Sequence, residues 1–169
     1  MKKINFIQIN KENEEQFQQL ISLWVPYLRE LDYHQKLTEN QSYEEMVKSA
    51  RQRVNIQGNR EDMHFELCYE GDKLIGFGFF AVDLGGIKGI IDAGYGYIME
   101  VYISPEERLK GYGRLLFEHI EEVFKGHGVK YMYLTAEPSE GIFFWESMGF
   151  VKSDKIDPDN RLPIYIKKL

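Results

Sequence analysis

The chain holds one cysteine, Cys68, which excludes an internal disulfide framework and any cysteine-based zinc site. Cys68 alternates with Phe65, Leu67 and Tyr69 in a strand-like stretch, where a half-buried, inert thiol is expected. Long hydrophobic runs are also missing. The longest uncharged apolar stretch, Leu74 to Val82, ends at Asp83, far short of the roughly 18 residues a membrane span needs. The opening "MKKINFIQINKE" carries two lysines, but Asn and Gln interrupt any signal-peptide core, so a cytoplasmic, non-membrane protein is expected. There is no excess of basic residues either: the net charge is −6, which argues against a nucleic-acid partner because phosphates need a basic face. His119 and His127 stand at no metal-ligand spacing with another ligating side chain, and no metal is expected. Internal repeats, low-complexity tracts and linkers are absent.

What the chain does have is apolar content, 43% over 169 residues, enough for the core of one domain spanning residues 1–169. "INFIQIN" alternates as a strand does. The spacing of Phe17, Leu20, Ile21, Trp24 and Leu28 predicts a helix from Glu12 to about Leu31 that Pro26 should kink or divide. Trp24 and Tyr27 fall on its apolar stripe as core residues. Ser42 precedes a second helix, "YEEMVKSARQRV", as its cap, and Gly58-Asn59 ends it. "HFELCYE" and "KLIGFGFFAV" read as strands joined at Gly71-Asp72. After the turn-rich "DLGGIKG", the stretch 93–104 reads as a strand, with Tyr97, Met99, Val101 and Ile103 on one face and Ile98, Glu100 and Tyr102 on the other.

An amphipathic helix follows from Gly111 to Lys125, then a strand at 130–136, a short helix at 139–148 stopping at Gly149, and two closing strands. "DKIDPDNR" (154–161) reads as the loop between them. The order β-α-α-β-β-β-α-β-α-β-β, with a crossover at 95–136 and hairpins elsewhere, predicts an α/β protein with a mixed sheet and helices on both faces.

The chemistry concentrates in "SPEERLKGYGRLL" (104–116). Gly111 and Gly113, between a strand and a helix, let the backbone approach a bound group and turn amide N–H donors toward it. The helix start adds its positive dipole end, and Arg108, Lys110 and Arg114 add charge. This describes an anion cradle suited to a pyrophosphate. A dinucleotide-binding turn would need a third glycine where Leu116 stands, and the lysine-serine pair of a P-loop is missing.

"RLKGYG" resembles the Arg/Gln-x-x-Gly-x-Gly/Ala motif of the GCN5-related N-acetyltransferase (GNAT) superfamily. "MEVYISPEERLKGYGRLLFEHI" resembles that family's fourth strand, phosphate loop and third helix, and "FFWESMGF" its Phe-Tyr-Glu-Lys-Leu-Gly-Phe segment. Leu109 stands where many relatives have glycine. The resemblance implies the acyl-CoA N-acyltransferase fold, with splayed central strands, and acetyl-CoA as cosubstrate. The pantetheine arm would lie along Val101, Tyr102 and Ile103, and the pyrophosphate on the amides of Arg108, Leu109, Lys110, Gly111, Tyr112, Gly113 and Arg114. Contacts there are mainly to backbone, so side chains such as Leu109 and Tyr112 are free to vary.

The resemblance further implies direct acetyl transfer to a primary amine on a small molecule, an amino-acid derivative or a peptide. Homodimers are common in the family. Glu100 aligns with a carboxylate that serves many relatives as general base; as an ordinary strand residue it would instead be solvated or ion-paired. Trp145 stands where many relatives carry a proton-donating tyrosine. Its indole can contact the thioester region but cannot act as an acid near neutral pH. Tyr102, Tyr133 and Tyr165 are alternative donors. Pro138 and Gly141 replace a usual Asn and Ala, which leaves the customary asparagine contact to the cofactor open. His34 belongs to the acceptor region of the family or to a solvated helix end. The alternatives to a small-molecule enzyme are a CoA-binding regulatory or sensor protein with weak or lost catalysis, and a protein N-acetyltransferase.

Overall fold

The computed structural model describes residues 3–35, 41–136 and 140–169. The element order follows the sequence expectation: β1 (Ile4–Gln8), α1 (Glu14–Gln35), α2 (Tyr43–Gln57), β2 (Met63–Glu70), β3 (Lys73–Asp83), β4 (Tyr95–Ile103), α3 (Tyr112–Gly126), β5 (Tyr131–Thr135), α4 (Glu140–Ser147), β6 (Val151–Ile156) and β7 (Pro163–Lys168). The strands form one mixed seven-stranded sheet in the order β1-β2-β3-β4-β5-β7-β6. The chain divides into two compact units, Met1–Phe79 with Glu100–Tyr112, and Phe80–Met99 with Gly113–Leu169. β3 and β4 each run from one unit into the other.

In the first unit, β1 and β2 pair antiparallel with Phe6 opposite Cys68. α1 starts where the Asn13 side chain accepts from the Gln16 N–H, and α2 where Ser42 and Glu45 form a capping box. Pro26 does not divide α1, which runs unbroken from Glu14 to Gln35; it stands exposed on the helix, which gives up the N–H bond at that position. The core is aromatic. Trp24, Phe65 and Phe77 are fully buried, with ring centroids 5.6–5.8 Å apart. Trp24 Nε1 donates to the Met46 carbonyl and the Ser49 hydroxyl, which joins α1 to α2. Cys68 is fully rather than half buried, and burial, with Glu66 nearby, pushes its thiol up to about 12. It is inert at neutral pH.

In the second unit, β4 and β5 pair parallel at Gly96–Met132 and Tyr97–Tyr133, while β7 pairs antiparallel with both β5 and β6. Ile98 and Met99 extend β4 beyond the last registered pair, as expected of splayed central strands. Gly96 is needed here, because a Cβ would lie 2.7 Å from the Phe124 ring. Phe117 packs on Phe150 at 5.7 Å, and Tyr97 stacks on Tyr133 at 4.5 Å. β6 runs to Ile156, so residues 154–156, expected in a loop, belong to a strand; the turn after it is tied by the Asp157 carboxylate to the amides of Asp159 and Asn160.

Candidate functional site

Strand alternation places Glu100 on the face of β4 that carries Tyr102. An apolar face with one carboxylate in it marks that carboxylate for burial, and Glu100 is half-buried. The Tyr27 hydroxyl of α1 donates to its Oε2. Burial raises the Glu100 pKa above the ordinary 4.5, opposed by the Tyr27 hydrogen bond and by the charge of Arg53. A carboxylate raised in this way is a stronger base than an exposed one.

Tyr27 was expected as a core residue of the α1 stripe. It does pack on Trp24 and Phe77, but its polar end reaches Glu100, a partner 73 positions away that no local pattern announces.

Downstream of β4 the chain passes through the short turn Pro105–Glu107 into the glycine-bearing segment. Leu109 (φ 61°) and Gly111 (φ 89°) both adopt left-handed backbone. Among the described hydrogen bonds outside helices and strands, none is donated by the backbone N–H of Leu109, Lys110 or Gly111, and Gly113 and Arg114 stand in the first turn of α3, where N–H groups lack intrahelical acceptors. Unpaired amides in a turn that leads into a helix fit an anion such as a pyrophosphate. The two glycines serve different ends. Gly111 supplies the positive φ, whereas Gly113, inside α3, admits the Phe144 ring, which a Cβ would meet at 3.3 Å.

The cations of this stretch are largely committed elsewhere. Arg108 makes two hydrogen bonds of 2.8 Å to the Glu30 carboxylate and one of 2.9 Å to the Ile103 carbonyl. Lys110 pairs with Glu107, whose buried carboxylate also takes Lys73. Those two ammonium groups hold the Glu107 pKa below its ordinary value. Of the three expected cations, Arg114 alone has no such pair among the described residues and is exposed. An anion at this turn would therefore meet backbone amides more than cationic side chains.

Leu109 is wholly exposed, as a variable position should be, but Tyr112 is only 2% exposed and its ring is part of the core. The expectation that Tyr112 is free to vary is corrected by that burial. Leu109 bears the strain of left-handed backbone, about 1–2 kcal/mol for a residue with a Cβ. A glycine there loses no packing but gives the unfolded chain more freedom. Leu109→Gly is expected to stabilise the protein by about 0.5 kcal/mol, read as a rise in the urea midpoint at unchanged slope.

Trp145 is half-buried, with Phe144, Phe150 and Phe117 at centroid distances of 5.0, 5.6 and 6.1 Å. That clustering accounts for an indole at this position by packing alone. Tyr133 donates to Asp83 at 2.8 Å and its pKa is driven far up by burial and that carboxylate; Tyr102 is also raised, first by burial. Neither is fitted to give up a proton. Val101 is half-buried, Ile103 and Tyr165 are buried, and Gly141 lies in α4. The His34 side chain and Pro138 lie outside the described residues. Among the described residues no group of three or more His, Cys, Asp or Glu is placed to hold a metal ion, and no helix is long and apolar enough to cross a membrane.

A sequence model of the acetyltransferase (GNAT) family matches residues 17–150. The chain is similar in fold to the PaiA N-acetyltransferase of Thermoplasma acidophilum, solved in complex with coenzyme A (TM-score 0.73, 19% identity, 99% of each chain covered). It is also similar to an acetyltransferase from Thermus thermophilus (TM-score 0.72, 14% identity, 100% of each chain). A third similar structure is the ribosomal-protein-S18-alanine N-acetyltransferase of Escherichia coli (TM-score 0.60, 15% identity, 99% of this chain and 93% of the other). No curated protein matches the chain in sequence.

Proposed function

Because the chain belongs to the acetyltransferase (GNAT) family, we propose that it moves an acetyl group from acetyl-CoA to a primary amine. The acceptor class comprises small molecules, amino-acid derivatives and peptide amines. The observation that carries this reading is Glu100: a half-buried carboxylate with a raised pKa, on the strand that leads into a turn of unpaired amides. The coenzyme A complex of the Thermoplasma PaiA relative supports the choice of cosubstrate.

When bound, acetyl-CoA supplies a thioester, an acyl donor open to attack by an uncharged amine. The amides of Leu109, Lys110 and Gly111, with those that open α3, would receive the pyrophosphate, and Val101, Tyr102 and Ile103 would line the pantetheine arm. An ammonium has no lone pair, so Glu100 takes its proton before the nitrogen–carbon bond forms. The departing thiolate needs a proton in return. The nitrogen still carries a second proton once the nitrogen–carbon bond has formed. As the carbon–sulfur bond breaks, that proton passes through solvent to the thiolate, whose thiol has a reference pKa of about 8.5, so no tyrosine acid is required.

The test is thiol release from acetyl-CoA across a panel of free amines and peptides. Release with free amines is expected. Coenzyme A binding with no turnover on any amine would favour a regulatory CoA-binding protein, and turnover on peptides alone a protein acetyltransferase. For the cradle, Gly111→Ala forces a Cβ onto left-handed backbone. Coenzyme A affinity is expected to fall about tenfold, matching roughly 1–2 kcal/mol of strain, in a calorimetric titration. Unchanged affinity would remove the turn from the binding site.

A further inference from the structure

The two oxygens of Glu100 are in different situations. Oε2 takes the Tyr27 hydroxyl, whereas Oε1 takes no hydrogen bond from the described residues. The one buried side-chain polar atom left without a partner among the described residues is Asp32 Oδ2, so Oε1 is not sealed inside the protein. Without a hydrogen-bond partner among the described residues, it is the oxygen left to meet an acceptor amine.

Tyr27 is itself held in place. Its ring centroid lies 5.5 Å from Trp24, 5.4 Å edge-on from Phe77 and 5.5 Å from Tyr102, which are contacts with α1, β3 and β4. Trp24 and Phe77 are fully buried and Tyr102 is 5% exposed. Trp24 is pinned in turn through Nε1. The phenol therefore has little freedom to leave the carboxylate. From α2, Arg53 lies over the Trp24 ring at 5.1 Å, donates to the Ser49 carbonyl at 3.2 Å, and adds a positive charge that Glu100 feels. Among the described residues, Tyr27 from α1 and Arg53 from α2 are the titratable groups that act on Glu100, and Tyr102 stands two positions along the same face of its own strand.

We propose that Tyr27 is a positioning residue for Glu100: its hydroxyl occupies Oε2, fixes the carboxylate and commits Oε1 to proton transfer with the acceptor amine. This rests on the reading of Glu100 as the base. A hydrogen bond to the ionised carboxylate favours that form, so Tyr27 works against burial and keeps the base ionised at lower pH than burial alone would allow. Without the hydroxyl, Glu100 holds its proton more tightly and its side chain is freer to turn.

Tyr27→Phe tests this, since phenylalanine keeps the ring contacts and removes only the donor. The acidic limb of kcat/KM is expected to move to higher pH, with the plateau kcat reduced about tenfold and coenzyme A affinity unchanged. Glu100→Gln separates the two readings. If its profile keeps the acidic limb, Glu100 is not the base and the reading beneath the proposal fails. If Glu100→Gln loses the limb but Tyr27→Phe leaves it at the wild-type pH, the positioning role alone is overturned. A readout that needs no acceptor is a carbon-13 titration of the glutamate carboxyls, with the Glu100 signal identified by its loss in Glu100→Gln. Its midpoint should rise in Tyr27→Phe; an unmoved midpoint overturns the proposal.

Discussion

Glu100→Gln is expected to lower kcat by roughly 10²–10⁴-fold, the range spanned by positioned general bases, while coenzyme A binds as before. Glutamine has the shape of glutamate and can still accept the Tyr27 hydroxyl, so the α1–β4 contact survives and only the proton acceptor is lost. The wild-type profile should rise with pH through a pKa above 4.5, because the base works ionised and burial opposes ionisation. The variant should lack that rise. Stability carries the opposite sign. With its folded pKa raised, Glu100 binds its proton more tightly in the folded than in the unfolded chain. Its contribution is then full at pH below the unfolded value and falls as pH climbs through the folded one. Chemical denaturation across that window should show a decline with pH in the wild type that Glu100→Gln flattens. A variant with wild-type turnover and an unchanged acidic limb would remove Glu100 from the chemistry.

The features legible in the sequence are those with a local cause. Helix periodicity, the Ser42 cap, and alternation along 93–104 follow from residues a few positions apart, and they gave the element order, the Gly111–Gly113 turn and the face on which Glu100 stands. The features that stayed hidden join distant segments. Arg108 and Lys110 look like cradle cations in "RLKGYG", yet Glu30 lies 78 positions from Arg108, and the buried Glu107 draws Lys73 across from β3 as well as its neighbour Lys110. Tyr27 sits in an ordinary apolar stripe, and nothing within α1 reveals that its hydroxyl meets a carboxylate on β4. A usable clue was present in Glu100 itself. A lone carboxylate on an otherwise apolar strand face needs a donor, and a tyrosine or arginine from the packed helices is the natural source. The cradle shows the same contrast. Its glycines could be read as anion-binding, but that Gly113 makes room for Phe144, and that Leu109 bears left-handed strain, are facts of packing and backbone angle.

Gly76→Ala carries the largest expected cost in stability, and it bears on the same strand. Gly76 is buried within β3, and a Cβ there would stand 2.3 Å from the Tyr102 carbonyl oxygen, 2.8 Å from Ile103 Cδ1 and 3.3 Å from Ile103 Cα. The isoleucine methyl can swing aside, but the carbonyl belongs to the β4 backbone and moves only with the strand. That strand is anchored just beyond, where the Ser104 N–H donates to the Ile75 carbonyl at 2.9 Å and Arg108 Nε to the Ile103 carbonyl. Relief of the clash must disturb one of these bonds or the β3–β4 pairing, which places the cost near 3 kcal/mol, at the upper end for overpacking. At a urea slope of about 2 kcal/mol/M this lowers the midpoint by about 1.5 M. Gly85→Ala is the control, because a Cβ there meets nothing within 4 Å and the φ is unexceptional; its midpoint should move by under about 0.3 M. Tyr102 and Ile103 are also the residues proposed to line the pantetheine arm. Folded Gly76→Ala protein should therefore bind coenzyme A more weakly than wild type, whereas Gly85→Ala should not. A midpoint and an affinity both unchanged in Gly76→Ala would mean that β4 yields freely at this point, and that its backbone is not the rigid edge the proposed binding mode requires.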